Sequence, residues 1–124
     1  MISGGNATLY VADMDRAVRF YVETLGFKLR MRAGDADDDW AEVDAGEGLV
    51  IALHLASGHG PAPGTRGAIS LGLTVNQPIE EVVQVLANRG VAFEGPVRAD
   101  TAVKLAFFGD PDGNPLYLAE AKAH

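Results

Sequence analysis

The amino-acid sequence predicts an α+β fold in which two tandem βαβββ modules form a shared cup-shaped sheet with their helices outside. Three observations lead there. The first is an internal repeat. NATLYVADMDRAVRFYVETLGF, Asn6 to Phe27, returns as SLGLTVNQPIEEVVQVLANRGV, Ser70 to Val91, at a constant offset of 64 residues that pairs Leu9 with Leu73, Val11 with Val75 and Gly26 with Gly90. The second is that each copy passes from strand periodicity to helix periodicity and stops at a glycine. The third is GDPDGN, Gly109 to Asn114, a turn between two apolar stretches near the end of the chain. A unit this short cannot bury its own apolar face. The copies are therefore expected to be modules, about residues 1–60 and 66–124, of one domain spanning 1–124.

In chain order, Asn6 to Val11 alternates, with Ala7, Leu9 and Val11 on one side and Asn6, Thr8 and Tyr10 on the other. Asp13 then caps a helix whose apolar positions Met14, Ala17, Val18, Tyr21 and Leu25 keep helical spacing up to Gly26. Phe27 to Arg32 alternates again, with basic residues at every second place, and reads as a more exposed strand. Gly34 to Asp39 carries four aspartates and is a solvated loop or the acidic lip of a site. Trp40 to Asp44 and Leu49 to Leu55 flank a glycine-rich turn and read as a hairpin, with Leu49, Ile51, Leu53 and Leu55 facing the helix. Ser57 to Gly67, dense in glycine and proline, links the modules.

The second module opens with a strand from Ala68 to Val75. Pro78 suits the first turn of its helix, which presents Ile79, Val82, Val83 and Leu86 and stops at Gly90. Strands at Val91 to Phe93, Val103 to Phe108 and Pro115 to Glu120 complete the module. Pro111 presets the turn between the last two, and Gly113 supplies the positive φ that a tight hairpin needs.

Composition narrows the function. With 124 residues, 17 acids against 10 bases and a net charge of −7, the chain lacks the basic face that a nucleic acid or an anionic membrane would require. It has no cysteine, hence no disulfide, thiolate nucleophile or thiolate metal site. No apolar run is long enough to span a bilayer and the first residues do not read as a signal peptide, so a cytoplasmic location is expected.

The duplicated βαβββ unit, the strand running into DMDRAVRFYVETLGF and the final DPDGN hairpin together resemble the vicinal oxygen chelate superfamily, over essentially the whole chain. That superfamily includes glyoxalase I, extradiol dioxygenases, fosfomycin-resistance enzymes and bleomycin-resistance binding proteins. The resemblance implies a homodimer that covers exposed strand edges, and a cup that in metal-dependent members holds a divalent ion through His, Glu or Gln side chains. Carried onto this sequence, those ligand positions are Asn6, Ala52, Ser70 and Tyr117. Alanine has no donor and the neutral oxygens of the others are weak ones, so a metal-free protein without a resident cofactor is expected. The alternative is a divalent ion recruited by His54, one pleat or roughly 6–7 Å from Ala52, with Glu42 beside it.

The non-helix faces of the strands would line the cup with Thr8, Tyr10, Trp40, Glu42, Val50, His54, Ser70, Thr74 and Tyr117. Of these, Tyr10, Trp40, Glu42, His54, Ser70 and Tyr117 are the candidate ligand-binding residues. Trp40, the sole tryptophan, is a stacking surface and Glu42 a partner for a cation. Two functions follow. One is a binding or resistance protein for an aromatic, cationic small molecule such as an antibiotic. The other is a lyase, isomerase or dioxygenase in which His54 and Glu42 are the catalytic residues.

Overall fold

The structure is a computed structural model and describes residues 1, 6–35, 39–58, 62–64, 70–100 and 102–122. Two compact units divide the chain, Met1–Thr65 and Arg66–His124. Both follow one plan. In the first, β1 (Ala7–Val11) leads into α1 (Met14–Arg19), a π-helical turn (Phe20–Thr24), β2 (Lys28–Ala33), β3 (Trp40–Gly46) and β4 (Leu49–Leu55). In the second, β5 (Leu71–Thr74) leads into α2 (Ile79–Asn88), β6 (Arg98–Ala99), β7 (Val103–Gly109) and β8 (Pro115–Ala121). Each unit has its own four-stranded sheet, in the order β1-β4-β3-β2 and β5-β8-β7-β6, with the first and last strands paired in parallel. The predicted α+β architecture of two βαβββ modules is therefore present.

Sequence explains why these segments become these elements. The Asp13 carboxylate accepts the Arg16 N–H at 3.1 Å, satisfying one of the donors that the start of α1 leaves open. Met14, Ala17, Val18 and Tyr21 are buried on one side of the helix against the helix-facing row Leu9, Val11, Val43, Ile51 and Leu53. The helix then widens by one residue. The Leu25 N–H reaches back to the Phe20 carbonyl at 3.0 Å, a π-type bond that the apolar spacing did not reveal. In the second unit Ile79 and Leu86 of α2 are buried beside Leu71, Leu73, Phe108, Leu116 and Leu118. The β7–β8 turn is closed by Asp110, whose Oδ1 accepts the N–H of Asp112 at 3.0 Å and of Asn114 at 2.8 Å, while Gly113 takes φ 83°.

Three expectations change. First, β2 does not alternate throughout. A register shift between Leu29 and Met31 places Lys28 opposite Asp44 and Met31 opposite Glu42, so Arg30 is the extra residue of a bulge and Lys28 leaves the side that carries Arg32. Second, Val91 to Phe93 is not a strand. Only Phe93 bridges to Phe108, and the outer strand is β6, Arg98–Ala99. Third, the opening strand of the second unit runs from Leu71 to Thr74, shorter than predicted, while Ala68 and Ile69 lie outside the described residues. So do Asp37 and Asp38 of the acidic loop and parts of the linker. No described helix is long and apolar enough to cross a membrane.

Candidate functional site

In the first unit, register alone brings four of the candidate residues together. Tyr10 of β1 pairs with His54 of β4, which pairs with Trp40 of β3, and Ala33 of β2 completes that row. The neighbouring row runs Thr8, Ala52, Glu42 and Met31. Because side chains alternate across a pleated strand, both rows project from the side of the sheet opposite α1. The His54 ring is edge-on to both neighbours, 5.2 Å from the Tyr10 ring at 60° and 5.7 Å from the Trp40 ring at 88°. Edge-to-face pairs of this kind place the positive edge of one ring against the negative face of another.

Two polar contacts fix the cluster. Trp40 Nε1–H donates to Glu42 Oε2 at 2.9 Å, which anchors the indole and holds a carboxylate at its rim. His54 Nδ1 lies 2.9 Å from the carbonyl oxygen of Leu55. A carbonyl only accepts, so Nδ1 carries the proton and Nε2 presents its lone pair when the ring is neutral. The site thus offers rings, a carboxylate and one basic nitrogen, all half-buried. Met31, 41% exposed beside Glu42, extends its apolar rim. Sequence alternation missed Met31 because the β2 bulge sets its side.

The second unit carries a different row. Gly72 of β5, Tyr117 of β8 and Phe107 of β7 stand in register, and the Tyr117 and Phe107 rings lie 5.7 Å apart at 40°. A side chain built on Gly72 would fall 2.5 Å from the Tyr117 hydroxyl oxygen and 2.7 Å from Cε2, so the tyrosine ring occupies the space that glycine leaves. Arg98 Cζ sits 5.2 Å from the centre of the Phe107 ring. Ser70 is exposed and precedes β5, as Asn6 precedes β1. Among the predicted site residues, Tyr10, Trp40, Glu42 and His54 share one sheet, whereas Ser70 and Tyr117 belong to the other unit. Arg98, Phe107 and Gly72 were not singled out from sequence. A two-residue strand such as β6 leaves no periodic signal.

The residues at the four metal-ligand positions do not fit a divalent ion. Asn6 and Ser70 are exposed neutral side chains, Ala52 is fully buried between Thr8 and Glu42 and has no donor, and Tyr117 lies across Gly72. The described residues contain no cluster of three or more His, Cys, Asp or Glu side chains.

A duplicated strand–helix–three-strand plan with parallel first and last strands defines a class of small α+β proteins, and sequence comparison assigns the family. Residues 5–118 match the Glyoxalase/Bleomycin resistance protein/Dioxygenase superfamily, and the chain belongs to it. A probable chloroplastic lactoylglutathione lyase from Arabidopsis thaliana is 33% identical over 117 residues, which is 89% of this chain but 33% of that protein. The chain thus spans a third of the length of that relative. A solved superfamily member from Sphaerobacter thermophilus is 33% identical with a TM-score of 0.82, over 97% of this chain and 98% of the other. TnmS3, an antibiotic binding protein from Streptomyces sp. CB03234, is 26% identical with a TM-score of 0.79, over 98% of both chains.

Proposed function

We propose that this protein binds a flat, cationic aromatic small molecule without a resident metal, as an antibiotic-binding or resistance protein does, through Tyr10, Trp40, Glu42 and His54. The observation that carries this reading is the Trp40–Glu42 pair. An anchored indole with a carboxylate at its rim stacks a ring and attracts a positive charge in one contact. The unsuitable donors at Asn6, Ala52, Ser70 and Tyr117 support a binder over a metal enzyme, and the likeness to an antibiotic binding protein agrees. Ser70 and Tyr117, also predicted as ligand contacts, belong to the second unit and are proposed as binding residues of that unit by itself. The working assembly is taken as a homodimer, a reading supported by Leu29 and Met31, which leave apolar surface exposed on the edge strand β2.

Trp40 is the only tryptophan, so intrinsic fluorescence reports on the site directly. Titration with cationic aromatic antibiotics, glycopeptides of the bleomycin class among them, is expected to change that emission saturably, and more weakly as salt rises. If no such compound perturbs the indole, the proposal fails.

A second reading rests on His54. With Nδ1 held by the Leu55 carbonyl, Nε2 is set up as a general base, which suits an isomerase or lyase, and a lactoylglutathione lyase is among the relatives. Turnover that disappears in His54→Gln while fluorescence titration stays flat would put this reading first.

A further inference from the structure

We infer that the face of the second sheet opposite its helix is a binding site in its own right for a flat aromatic carboxylate, with Tyr117 as its stacking surface and Arg98, held over the Phe107 ring, as the receptor for the acid. This goes beyond the function proposed above, because it uses another sheet and a ligand of opposite charge. It shares only Tyr117 with that reading.

The surface is built across all four strands. Gly72 on β5 makes room for the Tyr117 ring, Tyr117 on β8 leans against Phe107 on β7, and Arg98 on β6 covers the far ring. Leu105 stands opposite Arg98 and on the same side as Phe107, so the guanidinium and both rings belong to one face.

Arg98 has no acidic partner among the described residues. This chain holds 17 acids against 10 bases, and two of its other cations are engaged, Lys104 with Glu80 at 2.9 Å and Arg32 with Asp15 at 3.1 Å. Contact with the Phe107 ring limits how the guanidinium lies while its N–H groups still have to donate. That fork matches the two oxygens of a carboxylate, and a lysine would not reproduce it. A planar ring bearing a carboxylate satisfies the two halves of the surface together, stacking on Tyr117 beside Phe107 while its acid meets Arg98 over the Phe107 ring. The first sheet makes the opposite choice, with Glu42 in the place that register assigns to Phe107 in the second.

The test uses three probes of one shape, 2-naphthoate, 2-naphthamide and 2-naphthylmethylammonium, titrated against the full chain by calorimetry with the Tyr117 and Phe107 ring protons followed by NMR. Naphthoate is expected to bind about tenfold tighter than naphthamide and to shift both rings. Arg98→Gln should remove that preference and Arg98→Lys should restore part of it, with unfolding midpoints unchanged because Arg98 is exposed. Gly72→Ala should displace the Tyr117 ring signals and weaken all three probes at the second sheet. Trp40→Phe should leave the naphthoate preference intact, which separates this site from the first. Equal binding of naphthoate and naphthamide, no binding of either, or a preference that survives Arg98→Gln would overturn the inference.

Discussion

The carboxylate of Glu120, near the end of β8, accepts the backbone N–H of Ile79 at 2.9 Å and so caps a helix that begins 41 residues earlier in the chain. Pro78 sits at the N-cap position of α2 and makes no side-chain cap bond, so an acceptor from elsewhere has to serve one of the open N–H groups. The negative charge also lies at the positive end of the helix dipole. Glu120→Ala is expected to destabilise the protein by about 1 kcal/mol, with Glu120→Gln between it and the native chain. Chemical denaturation checks this, and equal midpoints for all three chains would refute it.

The Trp40–Glu42 bond predicts how the first site responds to mutation. Trp40→Phe keeps a ring but loses the anchored N–H, and Glu42→Gln keeps an acceptor but loses the charge. Each is expected to weaken a cationic aromatic ligand on the order of 2- to 30-fold. Only Glu42→Gln should also flatten the salt dependence of affinity. Unchanged affinities in both variants would move the ligand elsewhere.

The donor chemistry at Asn6, Ala52, Ser70 and Tyr117 predicts that chelators leave the unfolding midpoint unmoved. An ion that bound only the folded state would raise that midpoint by mass action, and its removal would lower it. About one zinc, nickel, iron or manganese per chain, lost in His54→Ala, would instead favour an enzyme built on His54 and Glu42.

Acid stability should depend on Asp100. Its carboxylate accepts the N–H of Ala102 at 2.7 Å and of Val103 at 2.8 Å, and these two bonds hold its pKa below the ordinary carboxylate value. A folded pKa below the unfolded one gives stability that is complete above the unfolded value and is lost as pH falls through the folded one. The advantage of the native chain over Asp100→Asn should therefore be flat near neutrality and shrink below about pH 4. Denaturation at a series of pH values measures it, and an advantage that persists undiminished into acid would contradict the assignment.

What sequence revealed was periodic or local. β4 runs from Leu49 to Leu55, as its alternation says, because its two sides are consistently used and its turn is marked by glycines. Asp13 was recognisable as a cap because its partner is three residues away. The grouping of Tyr10, Trp40, Glu42 and His54 followed from parity on three strands. The features that escaped notice are single-residue events or distant pairs. The bulge at Arg30 inserts one residue into a pattern that still looks regular, and the π turn after Arg19 does the same to a helix. Glu120 as the cap of α2, and Gly72 as the seat of Tyr117, join residues distant in the chain that no local pattern links.

Parallel pairing of the first strand of each unit with its last also sets an order of events during synthesis. Ala7 has no sheet partner until Ile51 exists, and Leu71 waits for Leu116, so the N-terminal strand of each unit leaves the ribosome long before anything can hold it in place. A nascent chain halted at Gly46 carries β1 with its hydrogen-bonding groups bare, and one halted past Leu55 need not. Protease sensitivity of Asn6 to Val11 in arrested chains should therefore drop only once β4 is out. Until then, Leu9 and Val11 are the apolar surface that a chaperone would meet first.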